Sequence, residues 1–217
     1  MVTVRGSAGS IESRLLGGLL RCPCGGVLAP WGHALRRLVA MAGGWEEFEP
    51  RRSRCRSCGR THVLLPAQLW SRRRYGAAVI MAVLVLGVRA AAAGRPAARP
   101  WAAAGEGRRR VPASTARSWR SRFAARADGL REQVMRLLPL ASAGQAARAL
   151  EPSGSPAGDC LAALEAVTAG LRERPGLAAV SAHEVAAHLS GGLWLGSAMP
   201  ALEFNTGLLH MDAMPPS

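Results

Sequence analysis

Residues 54–66 read RCRSCGRTHVLLP and residues 21–26 read RCPCGG. Cys55 and Cys58 stand in a C-x-x-C turn and Cys22 and Cys24 in a tighter C-x-C turn, with thirty residues between Cys24 and Cys55. Zinc takes four soft or borderline donors at tetrahedral corners, and two tight turns carrying two thiolates each deliver them with little ordering of the chain. Gly25 and Gly59 follow the second cysteine of each pair, where the backbone must turn under a metal. The expected ligands are therefore Cys22, Cys24, Cys55 and Cys58, holding Zn2+ in a structural role. Two alternatives stay open at this point. His62 or His33 replaces one cysteine, or the four thiols are reduced and bind nothing. Four thiolates leave no open coordination position, so catalytic zinc is not expected.

Working outward, residues 21–70 are rich in Gly, Arg, Trp and Cys, with short β-like runs at Gly26–Leu28 and His62–Leu65 closed by Pro66. They lack the apolar mass to fold unaided, which fits a small metal-organised ribbon. Residues 1–20 read as a flexible lead-in with one short helix near Ile11–Leu20. Residues 71–127 read as helices, with a first helix over Tyr75–Ala93 and a second beginning at Ser114 as N-cap. Residues 128–217 read as an Ala/Leu-rich helical region, with helices over Leu161–Arg174 and Ser181–Leu189 and an irregular tail from Gly191. Ser181 and Glu184 have the spacing of a capping box. The expected fold class is mainly α, with an N-terminal zinc ribbon of short β hairpins followed by helix-turn-helix-like helices.

All 28 basic residues are arginine, and the formal net charge is +14. A chain rich in Ala, Gly, Arg and Pro without lysine is also what a GC-rich genome writes, so the distribution is more telling than the sum. Residues 1–127 hold 23 Arg against 5 acids; residues 128–217 hold 5 Arg against 9 acids. A basic block of this kind is the electrostatic footprint of a polyanion, because neutralised phosphates release counterions. In the segment VPASTARSWRSRF, residues 111–123, Ala116, Trp119 and Phe123 fall on one helical stripe. Ser114, Thr115, Arg117, Ser118, Arg120, Ser121 and Arg122 lie off it. Hydroxyls and guanidinium groups on such a face meet phosphates and base edges, so these seven are the candidate contacts to double-stranded DNA.

The order LRCPCGG, APWGHALRR, RRSRCRSCGRTHVLLP, RRRYGAAVI and VPASTARSWRSRF resembles a family of actinobacterial zinc-ribbon plus helix-turn-helix proteins of unknown function. That family is in turn similar to the DNA-binding N-terminal part of insertion-sequence transposases. The resemblance covers roughly residues 20–127. It implies the four cysteines as zinc ligands and Ser114–Phe123 as a reading helix. The chain departs from the pattern near Arg95–Gly105, where Pro96 and Pro100 require the preceding helix to be short or the motif to be degenerate.

The function expected is a cytoplasmic DNA-binding protein, a transcription regulator or transposition-associated factor. No enzyme is expected, because a transposase nuclease needs three carboxylates on a sheet and the C-terminal half scatters its acids over helices. Homo-oligomerisation through the C-terminal helices is compatible with their composition. One alternative is a single-pass membrane anchor through residues 76–93, with Gly76–Val88 uncharged but shorter than the roughly 20 residues a bilayer needs. Another is a degenerate remnant of a transposase. Five cysteines without an apparent secretory leader suit a reducing compartment. Cys160 reads as an ordinary free thiol, and Glu165, Glu173, His183, Glu184 and His188 as residues of ordinary surface helices.

Overall fold

Alternation of burial along Arg51–Cys55 sets the architecture of the N-terminal third: Ser53 and Cys55 are buried while Arg52 and Arg54 are exposed. This strand, β5, forms a hairpin with β6 (Thr61–Pro66), and the turn between them is the second cysteine pair. β2 (Leu28–His33) pairs antiparallel on the other side of β5, with Leu28 opposite Cys55. β1 (Val2–Val4) lies parallel to β6, with Val2 opposite Leu64, completing a four-stranded sheet of order β1-β6-β5-β2. A computed structural model describes residues 2–4, 8–41, 44–66, 69–70, 74–95, 111–190 and 194–195.

Each face of this sheet has its own cover. Helix α1 (Ala8–Leu16) buries Ile11 and Leu15 with Val4, Leu28 and Leu64. Glu12 on α1 pairs with Arg51 on β5, accepting from Nη2 at 2.6 Å and also contacting Nε. Because Leu65 points opposite to Leu64, it packs on the other face, with Leu38, Leu69, Phe48 and Val63. Leu38 and Phe48 come from a separate hairpin, β3 (Arg36–Val39) and β4 (Trp45–Phe48). Residues 1–20 hold the expected short helix, at Ala8–Leu16, but it roofs the sheet, and Val2–Val4 add a strand, which corrects the expected flexible lead-in. The β-like runs expected at 26–28 and 62–65 touch β2 and β6, but β3, β4 and β5 are rich in Arg, Glu and Trp and carry no apolar alternation to announce them.

The rest of the described chain is helical. In order it contains α2 (Ala77–Ala92), α3 (Ala113–Ala124), α4 (Ala127–Met135), α5 (Ala143–Leu150), α6 (Pro156–Arg172) and α7 (Ala182–Ser190). "Mainly α" therefore holds roughly, for a chain whose first third is a β structure. α2 buries Ala77, Val79, Ile80, Met81, Val83, Leu84 and Gly87. That burial accounts for its apolar run, since each large aliphatic side chain removed from water contributes about 1.5–3 kcal/mol. Among the described residues no helix is long and apolar enough to cross a membrane, which removes residues 76–93 as an anchor.

One core runs from Trp70 through α2 to α7 and on to Leu195, across the boundary drawn at residue 127. Trp194 sits between Trp70 and Phe123, each ring centroid 6.3 Å away, so the first described residues of the expected tail are core. Gly170 on α6 lets the backbone at Leu140 and Ala141 press against the helix, where a Cβ would collide with the Leu140 carbonyl. α6 begins at Pro156, earlier than Leu161, because Ser155 caps it by accepting from the Gly158 N–H and proline suits the first turn. Ser181 and Glu184 do form the capping box of α7, the Ser181 N–H donating to Glu184 Oε2 at 2.9 Å. Among the described residues, β1 lies against α7, and hydrogen bonds also link the β structure to the helical core. Val39 exchanges backbone bonds with Arg74 and Gly76, and the Trp70 indole donates to the His183 carbonyl.

Candidate metal centre

The register that sets Leu28 opposite Cys55 brings the two cysteine turns face to face. The first turn closes with the Gly25 N–H donating to the Cys22 carbonyl and the Cys22 N–H donating to the Gly26 carbonyl, both at 2.8 Å. Gly25 (φ +84°) and Gly59 (φ +70°) adopt the left-handed conformation that these turns require. In the second turn the amides of Ser57 and Cys58 point at Cys55 Sγ, at 3.4 and 3.5 Å. Arg56 donates its N–H to the Val27 carbonyl and so ties the second turn to the first.

These contacts gather four sulfurs. Cys22 Sγ is 3.7 Å from Cys58 Sγ, Cys24 Sγ is 3.5 Å from Cys55 Sγ, and all four lie within 4.8 Å of one another. Tetrahedral thiolates at metal–sulfur distances of about 2.3 Å have sulfur–sulfur edges of about 3.8 Å. The donor set therefore fits a metal ion, and the four cysteines together could hold one. Cys22 and Cys55 are buried beneath the turns and Cys24 and Cys58 are exposed.

The electrostatics differ within the cluster. Burial pushes the Cys22 thiol up to about 12. The Cys58 N–H, aided by that of Ser57, draws Cys55 down to about 6. The second knuckle thus favours thiolate from its own backbone, whereas Cys22 needs a cation beside it to offset its burial.

His62 lies behind the cluster, its Nε2 3.3 Å from Cys22 Sγ, and the four mutually close donor atoms are all sulfur. The ring is buried, which lowers its pKa, and its Nδ1 is enclosed without a hydrogen-bond partner. His33 lies at the far end of β2 from Leu28, against the Arg51 guanidinium at 3.1 Å.

The seven candidate DNA contacts fall on α3. This helix starts at Ala113 after Pro112, so Ser114 lies in its first turn and the expected N-cap is corrected. Ala116, Trp119 and Phe123 are buried as the stripe requires, and Trp119 meets Tyr75 edge-on at 5.2 Å. Ser114, Arg117, Ser118, Ser121 and Arg122 are exposed; Thr115 and Arg120 are half-buried. The Arg120 stem lies across Gly87 of α2, where a Cβ would collide with its Cδ. The helix expected near Arg95–Gly105 lies, beyond Arg95, outside the described residues. Cys160 is buried on α6, its thiol pushed up to about 12 by that burial.

The unit built by the two knuckles, the second hairpin and α2 is matched as a whole. Residues 22–97 match a domain of unknown function, DUF6431. The DUF6431 match opens on Cys22 and closes beyond α2, leaving α3 and everything after it outside. No curated protein and no solved structure matches the chain. None of these comparisons carries the likeness to transposase front ends.

Sequence reasoning missed one pairing on the ribbon. Trp31 is 52% exposed, and the Arg54 guanidinium lies 4.9 Å from its ring centroid. The signal was faint: a Pro-Trp-Gly stretch and an arginine 23 positions later, which only the β2–β5 register brings together.

Proposed function

We propose that the chain is a zinc-containing DNA-binding protein without a catalytic domain of its own, acting as a transcription regulator or transposition-associated factor. The observation that carries the zinc is the four-sulfur cluster, whose edges suit a thiolate tetrahedron. Zinc held there would organise the ribbon, because Cys22 and Cys55 belong to its small buried cluster. Support for DNA comes from α3, which keeps Arg117, Ser118, Ser121 and Arg122 exposed while Trp119 and Phe123 hold it to the core. These side chains suit phosphates and base edges.

The test combines metal analysis with mobility shift of duplex DNA. Native mass spectrometry should find about one zinc per chain, and duplex binding should weaken steeply with salt. Replacing Arg117 and Arg122 by Gln should lower the slope of log affinity against log salt by about 1 per phosphate contact removed. A zinc-loaded chain that shifts no duplex at low salt would sink the DNA reading and leave the metal reading standing.

A further inference from the structure

Residues 51–60 hold five arginines and no acid. Of these, Arg52, Arg54, Arg56 and Arg60 are exposed, and Arg51 is taken up by Glu12. Arg54 is held twice: its Nε donates to the Gly59 carbonyl at 3.2 Å, and its guanidinium stacks over Trp31. Trp31 itself is set by backbone geometry. It occupies a register irregularity between Pro30, opposite Ser53, and Gly32, opposite Arg52. Gly32 has φ +114°, a conformation that L side chains rarely adopt, so the irregularity beside Trp31 requires a glycine. Burying a tryptophan is among the larger stabilising contributions a small ribbon can find. This ribbon instead keeps one half-exposed, backed by a fixed cation.

We infer that the exposed Trp31–Arg54 pair on β2 and β5 is a stacking platform for an unpaired nucleobase, with Arg52, Arg56 and Arg60 bordering the sugar-phosphate strand. An aromatic ring set among arginines binds single strands because every base offers a π face, while the charges follow the backbone. Duplex DNA has its π faces covered and offers this ring nothing. Of the ribbon's acids, Glu47 pairs with Arg37, Glu46 lies on β4, and Glu49 lies in the link between β4 and β5. Because Gly59 directly follows Cys58, the knuckle that would hold the metal also positions Arg54. The inference rests on the nucleic-acid reading for its class of partner and is independent of α3.

The full-length, zinc-loaded chain is titrated by fluorescence anisotropy against labelled oligothymidine and oligouridine of about 15 nucleotides and against a labelled duplex. Wild type should bind at least one of the single strands. Trp31→Leu, which keeps apolar bulk without a ring, should weaken that binding about fivefold or more, and Trp31→Phe should retain most of it. Arg148→Gln, on the exposed surface of α5, should leave it unchanged. Unaltered zinc content and thermal unfolding of Trp31→Leu show that the fold is intact; should they change, the decision passes to Trp31→Phe against Arg54→Gln, of which the second should be the weaker binder. Absence of single-strand binding, or binding equal in wild type and Trp31→Leu, overturns the inference. If the duplex alone binds, and through α3, the platform falls and the proposed function stands. If single strands bind through Trp31 and the duplex does not, the platform stands and the α3 reading falls.

Discussion

A β-carbon placed on Gly26 would stand 2.7 Å from Cys55 Sγ, so the backbone of the first knuckle rests directly on a sulfur of the second. It would also collide with the Ser57 side chain. Neither neighbour is the free end of a long side chain, so neither can step aside cheaply. Gly26→Ala should separate the knuckles and lower zinc affinity at least tenfold in a competition assay with a chromophoric chelator. Gly9→Ala, where a Cβ meets nothing within 4 Å, is the control and should bind zinc as wild type does.

Cys55→Ser should abolish stoichiometric zinc and loosen residues 21–70. Cys55 is buried, central to the sulfur cluster and the acceptor of two backbone amides. Hydrogen exchange should rise across β2, β5 and β6 while α6 stays protected, because the helical core is a separate cluster. Retention of one zinc per chain by this variant would count against the four-cysteine site.

Two glycines in helices should differ in their tolerance of a methyl group. Gly170→Ala places a methyl against the Leu140 carbonyl and the Ala141 backbone and should cost about 1–3 kcal/mol by overpacking. Gly87→Ala meets the Arg120 stem, which can move; it should be close to neutral, because replacing a mid-helix glycine gains about 1 kcal/mol. Equal melting temperatures for the two variants would contradict this account.

Asp159 accepts the Ser153 N–H at 2.6 Å, and that bond holds its carboxyl below the usual carboxylate range. A depressed folded-state pKa contributes stability that is complete above the ordinary carboxylate value and fades as pH falls through the folded one. Asp159→Asn should therefore destabilise the chain near neutral pH, and the gap from wild type should narrow on acidification below the ordinary value. Parallel denaturant titrations at several pH values measure it; a gap that widens with acid would contradict the assignment.

Features with strong local chemistry were legible in the sequence: the four cysteines, the buried stripe of α3, the apolar α2 and the capping box at Ser181. Each is set by residues within a turn or two of one another, the four cysteines as two such pairs. What escaped depends on partners far along the chain. β1 is three residues long and is a strand because β6 accepts it. β5 reads as a basic run, and its alternation emerges when Ser53 and Cys55 turn inward. Trp194 looked like tail and is core because Trp70 and Phe123 leave room between them. The position of His62 was also hidden, since its distance from Cys22 is fixed by the sheet and not by its offset from Cys58.

The parallel pairing of β1 with β6 bears on the order of assembly. Val2–Val4 must wait for Thr61–Pro66, about sixty residues further along, before the strand has a neighbour. Closing a loop of that length is slow to reward, whereas the β5–β6 hairpin closes locally. A refolding chain should therefore pass through a stage in which both knuckles have met while β1 is still unzipped from β6.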